Sequence, residues 1–304
     1  MPGAVFTRAA SSHIRVGTFQ FFAAQQDTEA LRALFDYSAA RHDSGVTDPL
    51  EWLRAVIQRQ ASLVARWMGI GFIHGVMNTD NCAVSGETID YGPCAFMDTY
   101  HPLKVFSSID RGGRYAFSRQ PQIMVWNMAQ LASALLPLID ADEEAAVAAA
   151  TAVVQEAPEA MHRAWLDTFR AKLGLVSLGD SEDHARADSE LIESLLQVMQ
   201  DGEADFTNFF RALPDPEAAK ACFGKASEES LAAMNRWFET WTQRLGQQGA
   251  EPASVGAEIK RRNPAIIPRN HRVDAAIQAG VQGDYSEFEN LLGARADPWS
   301  DRPL

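Results

Sequence analysis

The chain has 304 residues, long enough for a sizeable core in one large or two small domains. Its 40 acidic side chains outnumber its 27 basic ones, and the net charge of −13 excludes a general nucleic-acid binder. Three cysteines without a C-x-x-C spacing exclude a disulfide framework and a structural zinc site. No apolar run approaches the ~18 residues of a membrane span, and the first residues lack the pattern of a secretory leader. The expectation is a cytoplasmic protein with neither membrane nor nucleic acid as partner.

Ala4-Val5-Phe6 reads as a short strand. Arg8 and Arg15 follow on either side of Ser11-Ser12-His13, and taken alone they read as surface charges. Residues 27–42 have helical spacing, with Leu31, Leu34 and Phe35 on one side and Asp27 as the cap. Asp48-Pro49 opens another helix, with Asp48 as N-cap and Pro49 in the first turn. Leu53, Val56, Ile57, Leu63, Val64 and Trp67 give it a broad apolar face.

Residues 71–98, GFIHGVMNTDNCAVSGETIDYGPCAFMD, form the densest run of short polar residues, glycines and carboxylates. Ser85-Gly86, between Cys82-Ala83-Val84 and Glu87-Thr88-Ile89, reads as the turn of a hairpin. Such a hairpin folds Asp90 back beside Asp80 and Asn81. Carboxylate and amide oxygens are hard donors suited to Mg²⁺ or Mn²⁺, ions that share their sites with substrate phosphates. An oxygen group left off the metal serves as general base. The residue types therefore suit metal-assisted phosphoryl or nucleotidyl transfer. Asp and Asn acting as turn formers in a solvated loop explain the same letters. Cys82 and Cys94 read as core thiols, and the widely separated His74 and His101 as hydrogen-bonding residues.

Asp110-Arg111-Gly112-Gly113 reads as a surface loop, since no Gly-Lys-Ser/Thr follows it. Gln120-Pro121 starts a strong helix through Ile123, Trp126, Leu131, Leu135 and Leu138, with Asn127 as a buried polar tie. Residues 140–173 read as an alanine-rich helix broken at Pro158. An acidic linker at 178–183 precedes a helix bearing Leu191, Ile192, Leu195, Leu196 and Met199. Phe206, Phe209 and Phe210 read as core. Residues 228–245 are amphipathic, 246–256 a flexible break, and Lys260-Arg261-Arg262 the solvated end of a helix. Two short helices flank Gly283-Asp284.

The runs His74-Gly75-Val76-Met77-Asn78-Thr79-Asp80-Asn81 and Thr88-Ile89-Asp90-Tyr91-Gly92-Pro93 closely resemble the signature of the selenoprotein O family. The resemblance implies a fold like that of protein kinases. It implies transfer of AMP or UMP, from ATP or UTP, to Ser, Thr or Tyr hydroxyls of target proteins. By the same resemblance Asp80 is the proton acceptor, Asn81 and Asp90 hold the metal, and Asp90 also meets the nucleotide. Asp90-Tyr91-Gly92 stands where a kinase has Asp-Phe-Gly, and Asn81 follows Asp80 directly, unlike the ordinary kinase spacing. Arg8 and Arg15 match arginines that contact the nucleotide's phosphates, a role that suits the planar, bidentate guanidinium.

The chain departs from the family in three places. The Gly-rich loop and Lys–Glu pair of the nucleotide lobe should precede Arg8, so the resemblance spans roughly the C-terminal two-thirds of the family's length. Arg119 replaces an expected Asn, and no Cys follows Cys222 to serve a redox role in the tail. The expected fold is mainly α: a kinase-like C-terminal lobe with a small β-hairpin carrying the metal loop, and the N-terminal nucleotide lobe largely missing. Residues 1–175 are expected to form the catalytic lobe and 176–304 a helical extension packed on it. The expected function is metal-dependent protein nucleotidyl transfer. A truncated, non-catalytic helical scaffold is the alternative, and a metal-dependent phosphohydrolase is a third reading.

Overall fold

The computed structural model describes residues 7–179 and 181–301, so the strand expected at Ala4-Val5-Phe6 lies outside the described residues. The chain is mainly helical, with one small antiparallel sheet of two strands among the described residues. It divides into two units. The first takes Met1–Val64, Val76–Gly92 and Arg119–His162; the second takes Ala65–Gly75, Pro93–Ser118 and Arg163–Leu304.

The first unit contains α1 (Val16–Ala24), α2 (Thr28–His42), most of α3 (Pro49–Gly69), α4 (Gln120–Ile139), α5 (Glu143–Gln155) and the start of α6 (Ala157–Lys172). Local chemistry sets these boundaries. Asp27 caps α2 by accepting from Ala30 N–H at 2.9 Å, and Asp48 caps α3 through Leu50 N–H at 3.1 Å. The apolar faces close on fully buried Trp52, whose ring lies 5.2 Å from Phe19 and 5.6 Å from Phe35. Helix α4 packs on α1 and α5. With the turn before it, α4 forms a stretch (Phe117–Ile139) long and apolar enough to cross a membrane, and 50% of its most apolar window is buried. A core helix has the same composition.

One boundary differs from expectation. The break between α5 and α6 falls at Glu156, two residues before Pro158. Proline is tolerated in a first helical turn, where its missing N–H has no intrahelical partner to lose. Pro158 therefore starts α6 and does not interrupt a longer helix.

The second unit holds β1 (Phe72–Ile73) and β2 (Ala95–Phe96), paired Phe72 with Phe96 and Ile73 with Ala95. It also holds α7 (Glu182–Asp201), α8 (Phe206–Ala212), α9 (Pro216–Lys220), α10 (Glu228–Gln247), α11 (Pro252–Arg262), α12 (Asn270–Val281) and α13 (Ser286–Arg295). The break expected over 246–256 shrinks to four residues, because α10 runs to Gln247 and Pro252 starts α11. Phe206, Phe209 and Phe210 are buried as expected, with Phe206 and Phe210 centred 5.0 Å apart. His74 is fully buried against Trp67, and His101 Nδ1 accepts from Leu103 N–H at 3.1 Å, so both histidines pack or bond locally. The Arg261 and Arg262 side chains pair with Glu258, one and the same carboxylate a turn earlier on α11.

Buried charge in this unit was not legible beforehand. Asp188 of α7 is fully buried and receives Arg170 Nε at 2.7 Å and Arg244 Nε at 2.6 Å. Lys172 is buried too; its Nζ donates to Asn263 Oδ1 at 2.5 Å and lies 3.9 Å from the Phe210 ring centre. Burial holds its pKa well below that of a free lysine. Replacing Asp188 by Ala strands two guanidiniums in a dry interior, a mechanism that costs about 3–5 kcal/mol. Urea unfolding of D188A should show that loss, and a loss under about 1 kcal/mol would mean that water reaches the cluster.

Candidate active site

The first unit positions residues 76–92 from three sides. From α4, Asn127 Nδ2 donates to Met77 C=O at 2.9 Å and to Ile123 C=O at 3.0 Å. This is the buried polar tie expected from the sequence, although its Oδ1 has no partner. From α3, Gln60 Nε2 donates to Ala83 C=O at 2.6 Å and Arg59 Nε to Val84 C=O at 3.0 Å. Arg59 is itself oriented by Asp43, with Nη2 2.9 Å from Oδ2. From the N-terminal segment, Val84 N–H donates to Ile14 C=O at 3.0 Å and Val16 N–H to Cys82 C=O at 2.9 Å.

The Ser85-Gly86 turn is present in reduced form. Gly86 N–H donates to Ala83 C=O at 3.1 Å, and a single antiparallel bridge joins Cys82 to Thr88. The regular sheet lies elsewhere in the sequence, at β1 and β2, so the site loop is not carried by a hairpin of two full strands. Gly86 has φ +74°, and a Cβ there would sit 2.9 Å from Arg59 Cβ. Only glycine meets both demands. Thus α3 and the turn approach so closely that one side chain is deleted to let them meet.

Asp80 and Asn81 occupy a 3₁₀ turn, Thr79–Asn81, closed by Asn81 N–H to Asn78 C=O at 2.9 Å. Asn81 Nδ2 donates to Val76 C=O at 3.0 Å, which assigns Oδ1 as the atom that would face a cation. Asp80 is exposed, and its Cα would lie 3.4 Å from a Cβ added to Gly17 of α1. Asp80 and Asp90 each lie two residues outside the Cys82–Thr88 bridge.

Asp90 is the electrostatic centre. Arg8 Nη1 pairs with its Oδ1, and Arg15 Nη2 lies 3.1 Å from its Oδ2. One carboxylate thus holds two guanidiniums. Arg15 Nε is buried without a hydrogen-bond partner. The Asp90 backbone is left-handed, φ +57°, a conformation that Asp and Asn reach more readily than other L-residues.

The structure therefore brings Arg8, Arg15 and Asp90 into direct contact, and sets Asp80 and Asn81 on one turn against α1. Among the described residues, no three His, Cys, Asp or Glu side chains converge as a metal group. The predicted set is smaller, one carboxylate and one amide oxygen, which suits Mg²⁺ sharing its shell with phosphates and water. Cys82 is buried and its thiol is pushed up to about 12, so it is no nucleophile near neutrality. Gln60 and Arg59 were missed as site-positioning residues. For Gln60 a signal existed, a polar residue at helical spacing within the apolar series Val56, Ile57, Leu63 and Val64.

Residues 1–295 match the family model described as protein adenylyltransferase SelO. The chain belongs to that family. Among the chain's relatives, a protein from Jannaschia sp. (strain CCS1) named protein nucleotidyltransferase YdiU is 52% identical over 303 residues. That alignment covers 100% of this chain and 61% of the relative. A protein of the same name from Ruegeria pomeroyi is also 52% identical, with the same coverage. One from Agrobacterium fabrum is 49% identical over 308 residues, covering 100% of this chain and 62% of the relative. The chain thus spans about three-fifths of the length of these curated relatives.

The segment bearing the arginines also meets a titratable group. Ser12 Oγ and His42 Nε2 are hydrogen-bonded at 2.9 Å. Burial, then the charges of Arg59 and Arg41, lower the His42 pKa, with Asp43 and Glu87 opposing. The unfolded chain takes up this proton near 6.5, while the folded chain resists it to lower pH. The unfolded state then binds more protons in that window, so stability falls as pH drops through it. Urea midpoints at about pH 7.5 and about pH 5.5 should decline less in H42N than in the wild type. Equal declines would show that His42 titrates freely.

Proposed function

We propose that this chain carries the acid–base and phosphate-facing part of a protein nucleotidyltransferase, acting on ATP or UTP with Mg²⁺ or Mn²⁺. The observation that carries the reading is the meeting of Arg8 and Arg15 on Asp90, in a chain of the SelO family. A guanidinium has five N–H donors, so each arginine can keep Asp90 and still offer donors to phosphate oxygens. The relatives' name and the family's description support transfer of a nucleotidyl group to protein. A kinase-like arrangement of this lobe belongs to the same proposal.

In the reaction so proposed, a Ser, Thr or Tyr hydroxyl of the target attacks the α-phosphorus of the nucleotide. The bond from that phosphorus to the bridging oxygen breaks, and pyrophosphate leaves. Asp80, exposed on its turn, accepts the hydroxyl proton. Arg8 and Arg15 stabilise charge on the transferred group and the leaving phosphates. Asn81 Oδ1 and the Asp90 carboxylate would hold the metal ion, which supplies positive charge against the phosphate oxygens when bound.

Calorimetric titration of ATP with Mg²⁺ or Mn²⁺ tests the site, and the intact mass of a protein acceptor after incubation tests the chemistry. Metal-dependent binding should weaken about tenfold or more in D90A, the scale of one lost charge-assisted contact. Added AMP or UMP mass on the acceptor should vanish in D80A. Binding that is indifferent to Asp90 would refute the site. A folded wild type that neither binds nor transfers would favour a non-catalytic scaffold, and nucleotide breakdown without transfer would favour a phosphohydrolase.

A further inference from the structure

Arg8 reaches Asp90 from residues 7–15, which form no helix before α1. Side chains from two other elements converge on that segment at Ser11 and Ser12. Glu87, just past the Ser85-Gly86 turn, accepts from Ser11 N–H at 2.9 Å and from Ser11 Oγ–H at 3.1 Å. Arg41, near the end of α2, donates through Nε to Ser11 C=O at 2.7 Å, and through Nη2 to the same oxygen. Every polar group of Ser11 is therefore engaged. His42 holds Ser12 beside it. Ser85 Oγ–H donates to Glu87 Oε2 at 2.9 Å and fixes the carboxylate. Burial alone would raise the Glu87 pKa, but hydrogen bonds from Ser85, Ser11 and Ser12 outweigh it and hold the pKa below the ordinary value.

We propose that Glu87 and Arg41 are positioning residues that clamp Ser11 and so present Arg8 to Asp90. The proposal rests on the reading of Arg8 and Asp90 as nucleotide-site groups. Its physical basis is tether length. Arg8 is three residues from Ser11, a reach of at most ~10 Å. With Ser11 released, the next anchors are Ser12, whose hydroxyl meets His42, and Ile14, whose carbonyl accepts from Val84 N–H. The tether then lengthens to about four residues and ~14 Å with Ser12 still on His42, and to about six residues and ~20 Å with Ile14 as the anchor. The chance that a flexible tether's end meets a fixed point falls as about the 3/2 power of its length, so the cost runs from about 1.5-fold to about threefold. The feature is geometric: Glu87 follows the turn held by α3, and Arg41 lies on α2, so two elements of the first unit grip one serine, one through its N–H and hydroxyl and the other through its carbonyl.

The test compares E87A/R41A with the wild type, with E87Q, and with the same pair placed in an R8A background. The probes are hydrogen exchange over residues 8–13 and calorimetric binding of ATP with Mg²⁺. In E87A/R41A, exchange over 8–13 should rise while α4 stays protected, and ATP should bind about 1.5- to threefold more weakly. E87Q keeps an acceptor for Ser11 N–H and should stay near wild type. In the R8A background the double change should add no further loss, because the clamp acts through Arg8. Unchanged exchange over 8–13 in E87A/R41A would overturn the clamp. So would an E87Q variant as weak as E87A/R41A, since charge and not anchoring would then be at work. A wild type that binds no ATP would sink the nucleotide reading instead, and the exchange arm would still decide whether Ser11 is anchored.

Discussion

A carboxylate between two guanidiniums is the constraint on which the rest of the candidate site depends. Asp90 holds Arg8 and Arg15 at one point in a chain whose overall charge is strongly negative. Without it the two arginines would repel each other. Each partner reaches the meeting by a different route. Arg15 is placed by backbone pairing beside Ala83 at the start of α1. Arg8 arrives on an irregular segment gripped at Ser11. Asp90 is turned toward them by its left-handed backbone just beyond the Cys82–Thr88 bridge.

Support for this arrangement lies in helices that carry no chemistry themselves. Helix α3 offers Gln60 and Arg59 to the turn, and α4 offers Asn127 to the start of the loop. Both helices are fixed by packing, α3 around Trp52 and α4 along its apolar length. A loop held by side chains from packed helices keeps its geometry more firmly than one relying on its own few bonds. The burial of Gln60 and Asn127 therefore links the core to the site through specific hydrogen bonds.

How much was legible follows from the range of each interaction. The caps at Asp27 and Asp48, the start at Gln120-Pro121 and the turn at Ser85-Gly86 are decided within a few residues, and reading the letters sufficed. Asn127 could be singled out because a lone amide in an apolar helical stripe has few explanations. The β1–β2 pairing could not, because it joins two-residue segments across the whole site loop and leaves no periodic trace. Asp188 also escaped: its partners Arg170 and Arg244 lie on other helices, and on its own it looks like any exposed acid. Glu87 was read only as the start of an extended arm, since its partner Ser11 lies 76 residues earlier. Asp80, Asn81 and Asp90 were singled out by their letters, with turn formers as an equal explanation, whereas Arg8 and Arg15 read as surface charges until the resemblance suggested a role for them.

The left-handed backbone at Asp90 restricts the alphabet at that position from two directions at once. Sterics admit glycine, asparagine and aspartate with least strain. Electrostatics admits only an anion, because two cations face the position. Glutamate satisfies the second filter and fails the first; asparagine and glycine do the reverse. The two filters intersect in a single amino acid, so position 90 has no neutral neighbour in sequence space while the arginines stay where they are.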